Sequence, residues 1–247
     1  MTDNLPTQNA GFSFGSKAEL PAHLAESGSG LGNENVTADD LAMPKINLLQ
    51  ALSPQIPRIE GAKAGLLHNS LTDELMEECY LVNLQFEKGY SVFKKRDLGG
   101  GYFGMYPTEA AADEEIARQP GSPGDYDKQL THIHTCLLLD DQGRPTQPVR
   151  LFFNSTKIAV SSRWNTNIQL DTEKTDRFAA VYKLGSVEEH NKRNQSYYNY
   201  TVEFAGYVNE ELYAVAKENY LAVSAKSAPA EEEKPVFQGV KQESDAA

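Results

Sequence analysis

The sequence predicts a mainly β domain of the α+β or β-barrel class, set between acidic ends. Three observations carry this. Strand-like runs dominate the middle of the chain, and their connections suit antiparallel pairing; the regular strand–helix alternation of a doubly wound nucleotide fold is missing. The 247 residues are 40 % hydrophobic, enough for a core, yet a mean hydropathy of -0.52 places part of the chain outside it. Of the net charge of -12, residues 1–40 carry -5 and residues 227–247 carry -3, leaving -4 for the long middle.

The ends come first. "ESGSGLGNENVTADD" and "SAPAEEEKPVFQGVKQESDAA" offer little to bury and are expected to stay disordered. This gives an acidic N-terminal arm (1–40), a folded domain (41–226) and an acidic C-terminal tail (227–247). Within the domain, "LAMPKINLLQAL" reads as a strand or a helical turn. "CYLVNLQF" and "YSVFKK" read as two strands separated by a turn at Gly89. "GGGYFGMY" reads as a flexible hairpin tip, because it lacks the Lys-Ser/Thr ending of a phosphate loop. "LTHIHTCLLLD" and "PVRLFF" form a hairpin across "DQGRP". A helix through "STKIAVSSRWNTNI" is capped by Asn154 or Ser155. "RFAAVYKLGSV" and "SYYNYTVEFAGYV" pair across the polar "EEHNKRNQ". The final helix, "NEELYAVAKENYLAV", sets Leu212, Val215, Ala216 and Tyr220 on one face.

No nucleotide-binding glycine fingerprint, P-loop, HExxH or GxSxG motif occurs, so no enzymatic activity and no cofactor are expected. Cys79 and Cys136 lie in apolar runs and read as buried free thiols. His132 and His134 share one strand face. With no third ligand in view they read as an ordinary half-exposed face, and no metal site is expected. The N-terminus lacks the pattern of a secretory signal, and no apolar run approaches the ~20 residues of a membrane helix; the expected compartment is the cytoplasm.

What remains is a distribution of cations and rings. From Gln142 to Leu170 there is no acid, while Arg150, Lys157 and Arg163 accompany Phe152 and the single tryptophan, Trp164. A second cluster joins Phe93, Lys94, Lys95 and Arg96 to Tyr102 and Phe103. A third joins Lys192 and Arg193 to Tyr197, Tyr198 and Tyr200. Cations attract phosphates, and unpaired bases stack on rings with little regard for sequence, which is the chemistry of a single-strand groove. Strand alternation sends Phe152 and Phe153 to opposite faces, so one of them belongs to the core and the other does not. Trp164 fits either a ligand-facing role or that of a core anchor.

Three segments, "ADDLAMPKINLLQALSPQI", "GAKAGLLHNSLTDE" and "RFAAVYKLGSVEEHNKRNQSYYNYTVEFAGYVNEELYAVAKENY", resemble single-stranded-DNA-binding proteins of tailed bacteriophages. The resemblance spans roughly residues 38–223. It implies an oligonucleotide-binding (OB) type antiparallel barrel with added helices. It further implies sequence-independent binding of single-stranded DNA, service in phage DNA replication or recombination within a host cell, and phage replication or recombination proteins as partners. The chain ends "ESDAA" instead of an acidic tip closed by Phe, which departs from many such proteins. Oligomerisation is compatible with the sequence, and no membrane association is expected. The alternative from another class is an acidic interaction protein, a DNA mimic or inhibitor of a host nuclease.

Overall fold

The computed structural model describes residues 31–36, 42–173 and 175–227. Strands β1 (Ile46–Leu48), β2 (Leu67–Asn69), β3 (Leu75–Met76), β4 (Cys79–Lys94) and β5 (Tyr102–Tyr106) precede helix α1 (Glu109–Arg118). Strands β6 (Tyr126–Leu139) and β7 (Pro145–Asn154), helix α2 (Lys157–Asp171), strands β8 (Ala180–His190) and β9 (Ser196–Tyr207) and helix α3 (Glu210–Ser227) follow. The class is α+β, and the pairing is antiparallel throughout both sheets. By its contacts the chain divides into Met1–Ala42 and Met43–Ala247. In the first unit, residues 31–36 form successive turns, with the Val36 N–H donating to the Asn33 carbonyl at 3.0 Å. Apart from these residues and Ser227, the expected acidic arm and tail lie outside the described residues.

The larger sheet runs β7-β6-β4-β8-β9, with β5 also on β4. Its β8-β4-β6-β7 portion has the strand order of a Greek key. One correction concerns Gly89. It is no turn: β4 runs unbroken from Cys79 to Lys94, because β6 pairs with it along almost its whole length. The chain needs glycine there for a different reason, since a Cβ would sit 2.6 Å from the Tyr106 carbonyl on β5. β8 takes the free edge of β4 at Cys79–Val82 and β5 takes it at Tyr90–Phe93, leaving a notch between them.

The segment "GGGYFGMY" is likewise more ordered than a flexible tip. Gly99–Gly101 make the turn at positive φ, and Tyr102–Tyr106 pair with β4. Helix α1, absent from the sequence reading, follows. Thr108 caps it by accepting from the Ala111 N–H at 3.2 Å, and Lys128 of β6 holds it through Asp113 at 2.6 Å and Glu109 at 2.9 Å. The β6–β7 hairpin, the β8–β9 pair and helix α3 form where the sequence predicts. Helix α2 starts two residues late, at Lys157, and neither Asn154 nor Ser155 caps it through a side chain.

The two faces of the large sheet differ. On one, Leu81, Cys136, Val149, Leu151 and Phe153 pack against Trp164 and Ile168 of α2. On the other, α3 covers one end, with Leu212 and Ala216 against Val82, Leu84, Leu137 and Leu139. β6 is buried on both faces from Thr131 to Leu139; Cys136–Leu139 are accordingly a continuous apolar run, whereas Thr131, His132, His134 and Thr135 bring polar groups inside. A register shift at Leu84 lets β4 serve both faces along its length. Both cysteines are buried free thiols, and burial pushes the Cys79 thiol up to about 12. No helix among the described residues is long and apolar enough to cross a membrane.

Residues 44–50 touch both outer strands. The Arg150 N–H of β7 donates to the Pro44 carbonyl at 2.9 Å. On the β9 side the Tyr200 hydroxyl donates to the Ile46 carbonyl at 3.2 Å. The Gln50 side chain there imitates a strand residue, donating to the Tyr198 carbonyl at 3.0 Å and accepting from its N–H at 2.9 Å.

Candidate nucleic-acid interface

The end of the outer sheet face that α3 leaves open is a groove of ≈ 700 Å³. Alternation builds it. β7 contributes Arg150 and Phe152, β6 contributes Thr131 and Ile133, and β4 contributes Glu87, Ser91 and Phe93. Tyr102 and Met105 of β5 form one wall, and Lys45 from the start of β1 forms the other. Tyr102 pairs with Phe93 in register, their rings 5.3 Å apart and tilted by 43°. The Lys45 Nζ lies over the Phe152 ring at 5.2 Å. Arg150 makes no ion pair among the described residues, and its Nε–H is buried without a partner. The groove therefore combines two sets of rings, a half-buried arginine whose Nε–H is unmatched, and an ammonium.

The sequence clusters thus converge in part. Phe93 and Tyr102 of one and Arg150 and Phe152 of another share this surface, and Phe152 and Phe153 divide between groove and core as alternation requires. Lys94, Lys95 and Arg96 continue beyond Phe93 into the β4–β5 turn, at the rim and not in the lining. Lys192 and Arg193 sit exposed in the β8–β9 turn, which Asn191 organises by accepting from the Arg193 and Gln195 N–H groups at 2.9 and 3.0 Å.

Several residues are corrected. Trp164 is 1 % exposed and lies flat on His134, with ring centroids 4.5 Å apart, so it is the core anchor and not a ligand face. Tyr200 is 3 % exposed and packs on Phe153. Phe103 points away from the groove and packs edge-on against Tyr126 at 5.5 Å, under α1. Lys157 lies over the Tyr200 ring at 5.1 Å, and burial lowers its pKa. Tyr198 packs so closely over Gly65 that a Cβ there would meet its ring at 2.5 Å. Tyr197 donates to Glu189 at 2.6 Å. Arg163 faces a separate cavity between α2 and the β8–β9 pair, with Val187 and Asn199. These side chains serve packing, or other surfaces, because α2, β5 and β9 turn them away from the open face.

A family model for the Pam3 phage gp34-like protein matches residues 14–229. The chain belongs to this family. It is thus a phage protein, as the resemblance implied at that coarser level. No curated protein and no solved structure matches it.

The gp34-like chain also holds a buried polar network on the inner face, where the sequence suggested a half-exposed pair of histidines. His132 and His134 are both buried and both contact Ser161 Oγ, through Nδ1 at 2.9 Å and Nε2 at 2.7 Å. His134 Nδ1 receives Asn83 Nδ2 at 2.8 Å, and Asn83 Oδ1 accepts from Arg177 Nε at 2.6 Å. Arg177 also donates to Asn165 Oδ1 and lies over Phe86 at 5.7 Å. The donors fix the tautomers. His134 carries its proton on Nε2 and donates to Ser161, whose single hydroxyl proton goes to His132 Nδ1. Burial, then the charge of Arg177, holds His134 well below the usual imidazole range; burial and Lys88 lower His132. Among the described residues no group of three or more His, Cys, Asp or Glu is placed to hold a metal ion. Ser161 has no exposure, so this network is structural.

Sequence reasoning passed over Lys45 and Glu87. The signal for Lys45 was present: in "KINL" it alternates with the buried Ile46 and Leu48, which puts Lys45 on the opposite face.

Proposed function

We infer that the protein binds single-stranded DNA in the groove above β4, β6 and β7, with bases stacking on Phe152 and on the Phe93–Tyr102 pair and phosphates meeting Arg150 and Lys45. The observation that carries this is Arg150, a half-buried guanidinium with an unmatched Nε–H beside stacking rings. A donor left unmet in the free protein favours a ligand that brings acceptors. Stacking tolerates any base, which suits service in phage replication or recombination.

We further read the domain as an OB-like barrel. Support comes from the order of the five long strands, from the Greek-key return of β8 beside β4, and from residues 44–50 bridging β7 and β9. OB barrels take oligonucleotides on the face of their second and third strands and on the loops after the first and fourth. By that count the face is that of β6 and β7. The loops would carry Lys94, Lys95 and Arg96 on one side and Lys192 and Arg193 on the other, as a cationic rim.

Anisotropy of a labelled thymidine oligonucleotide at low salt tests the reading. Wild type should bind, and Phe152→Ala should lose roughly 1–3 kcal/mol of affinity while remaining folded. No binding by wild type, or an unchanged affinity in the variant, would remove the groove from consideration.

A further inference from the structure

Glu87 is the single carboxylate in the lining of a groove otherwise built of rings, cations and neutral groups. It forms no ion pair among the described residues, although Lys45 and Arg150 line the same space. A carboxylate repels phosphate, so a groove that served only the backbone would do better without it. Its register position suggests another use. Glu87 of β4 stands opposite Ile133 of β6, and Ile133 stands opposite Phe152 of β7, all on one face. The row reads carboxylate, apolar floor, ring, and spans two strand spacings, about 10 Å. Beyond the ring lies the Lys45 ammonium.

We propose that Glu87 reads the edge of a base lying over Ile133, so that the groove prefers bases presenting N–H donors, guanine above all. This rests on the reading of the groove as a single-stranded DNA site and qualifies the indifference that stacking alone would give. The cations hold the phosphate on the β7 side, the base reaches across the sheet, and its Watson–Crick edge arrives at the carboxylate. An ionised carboxylate only accepts, and its two oxygens match two parallel N–H groups. Unpaired guanine offers such a pair from N1 and its exocyclic amine. Adenine and cytosine offer an amine beside an acceptor, and thymine offers one N–H between two carbonyl groups that the carboxylate repels. The predicted ranking is guanine, then cytosine and adenine, then thymine.

The test compares a labelled thymidine oligonucleotide with the same strand carrying one central guanosine, inosine or cytidine, at one fixed salt concentration. Wild type should bind the guanosine strand about tenfold tighter than the all-thymidine strand, the size of one good bidentate base contact. Inosine, which keeps N1–H but lacks the amine, should fall between. Glu87→Gln, nearly isosteric, should lose most of the guanosine preference, its affinities for the guanosine and all-thymidine strands drawing together. Equal affinities for all strands in wild type would overturn the proposal while leaving the groove standing. So would a guanosine preference that survives Glu87→Gln. Binding to none of the strands would instead overturn the groove reading itself.

Discussion

Two arginines, on opposite faces of the same sheet, experience different surroundings. Arg177, also half-buried, has its Nε and Nη2 donors met by Asn83 and Asn165 and its plane resting over Phe86. Arg150 is half-buried with its Nε–H unmet, and the two residues beside it in register repeat the pattern. Thr135 Oγ1 and Gln85 Oε1 are buried without partners as well. Burial alone thus says little about what a polar group does. A buried group whose bonds are made is holding the fold in one arrangement. A row of groups whose bonds are unmade destabilises the free protein and favours whatever completes it.

This contrast can be broken from the inner side first. Trp164→Ala removes the ring that lies on His134 and should lower stability by about 3–5 kcal/mol in urea unfolding. Oligonucleotide affinity per folded molecule should change little. Arg177→Ala takes the donor away from the side-chain oxygens of Asn83 and Asn165 and should cost roughly 1–3 kcal/mol by the same measurement. If it proves neutral, the distinction between the two arginines fails.

Mild acid should act on the inner face. His134 in the folded chain titrates well below the ordinary imidazole value of about 6.5, because burial and the charge of Arg177 disfavour its proton. Below that value the unfolded chain therefore binds more protons, and stability falls as pH drops from about 6.5 towards the folded value. Urea midpoints at neutral and mildly acidic pH should record this decline, and His134→Gln should flatten it. The smallest effect on stability belongs to the outer face. Arg150→Met should leave stability unchanged or raise it by up to about 1 kcal/mol, since it removes a buried donor that has no partner. It should reduce the salt slope of oligonucleotide binding by about 0.7, one phosphate contact. A large loss of stability would mean that Arg150 is structural after all.

Much of this was legible in the residues, and the failures have physical causes. Alternation alone separated Phe152 from Phe153. It could not follow β4 through the bulge at Leu84 or past Gly89, because pairing with β6 overrides a local glycine. Helix α1 escaped notice since it buries only Ala112 and Ile116, too narrow a stripe to register amid acids. Trp164 stayed ambiguous because the buried face of α2 includes Ser161, a polar residue held inside by two histidines that lie far away in sequence. The groove was found in part, as clusters were visible but their facing was not. Lys45 and Glu87 enter it from strands whose placement only tertiary structure decides.

The Gln50 clasp on β9 joins residues 148 positions apart. During synthesis, the stretch around Pro44 and Gln50 leaves the ribosome early but completes its seat only once Tyr198 has been made. Until then it can hold β7 only through Pro44, by the Arg150 N–H, and a strand edge so lightly covered invites a neighbouring chain. Slow translation through the β8–β9 region should therefore favour aggregation of the nascent protein more than a pause placed anywhere after it.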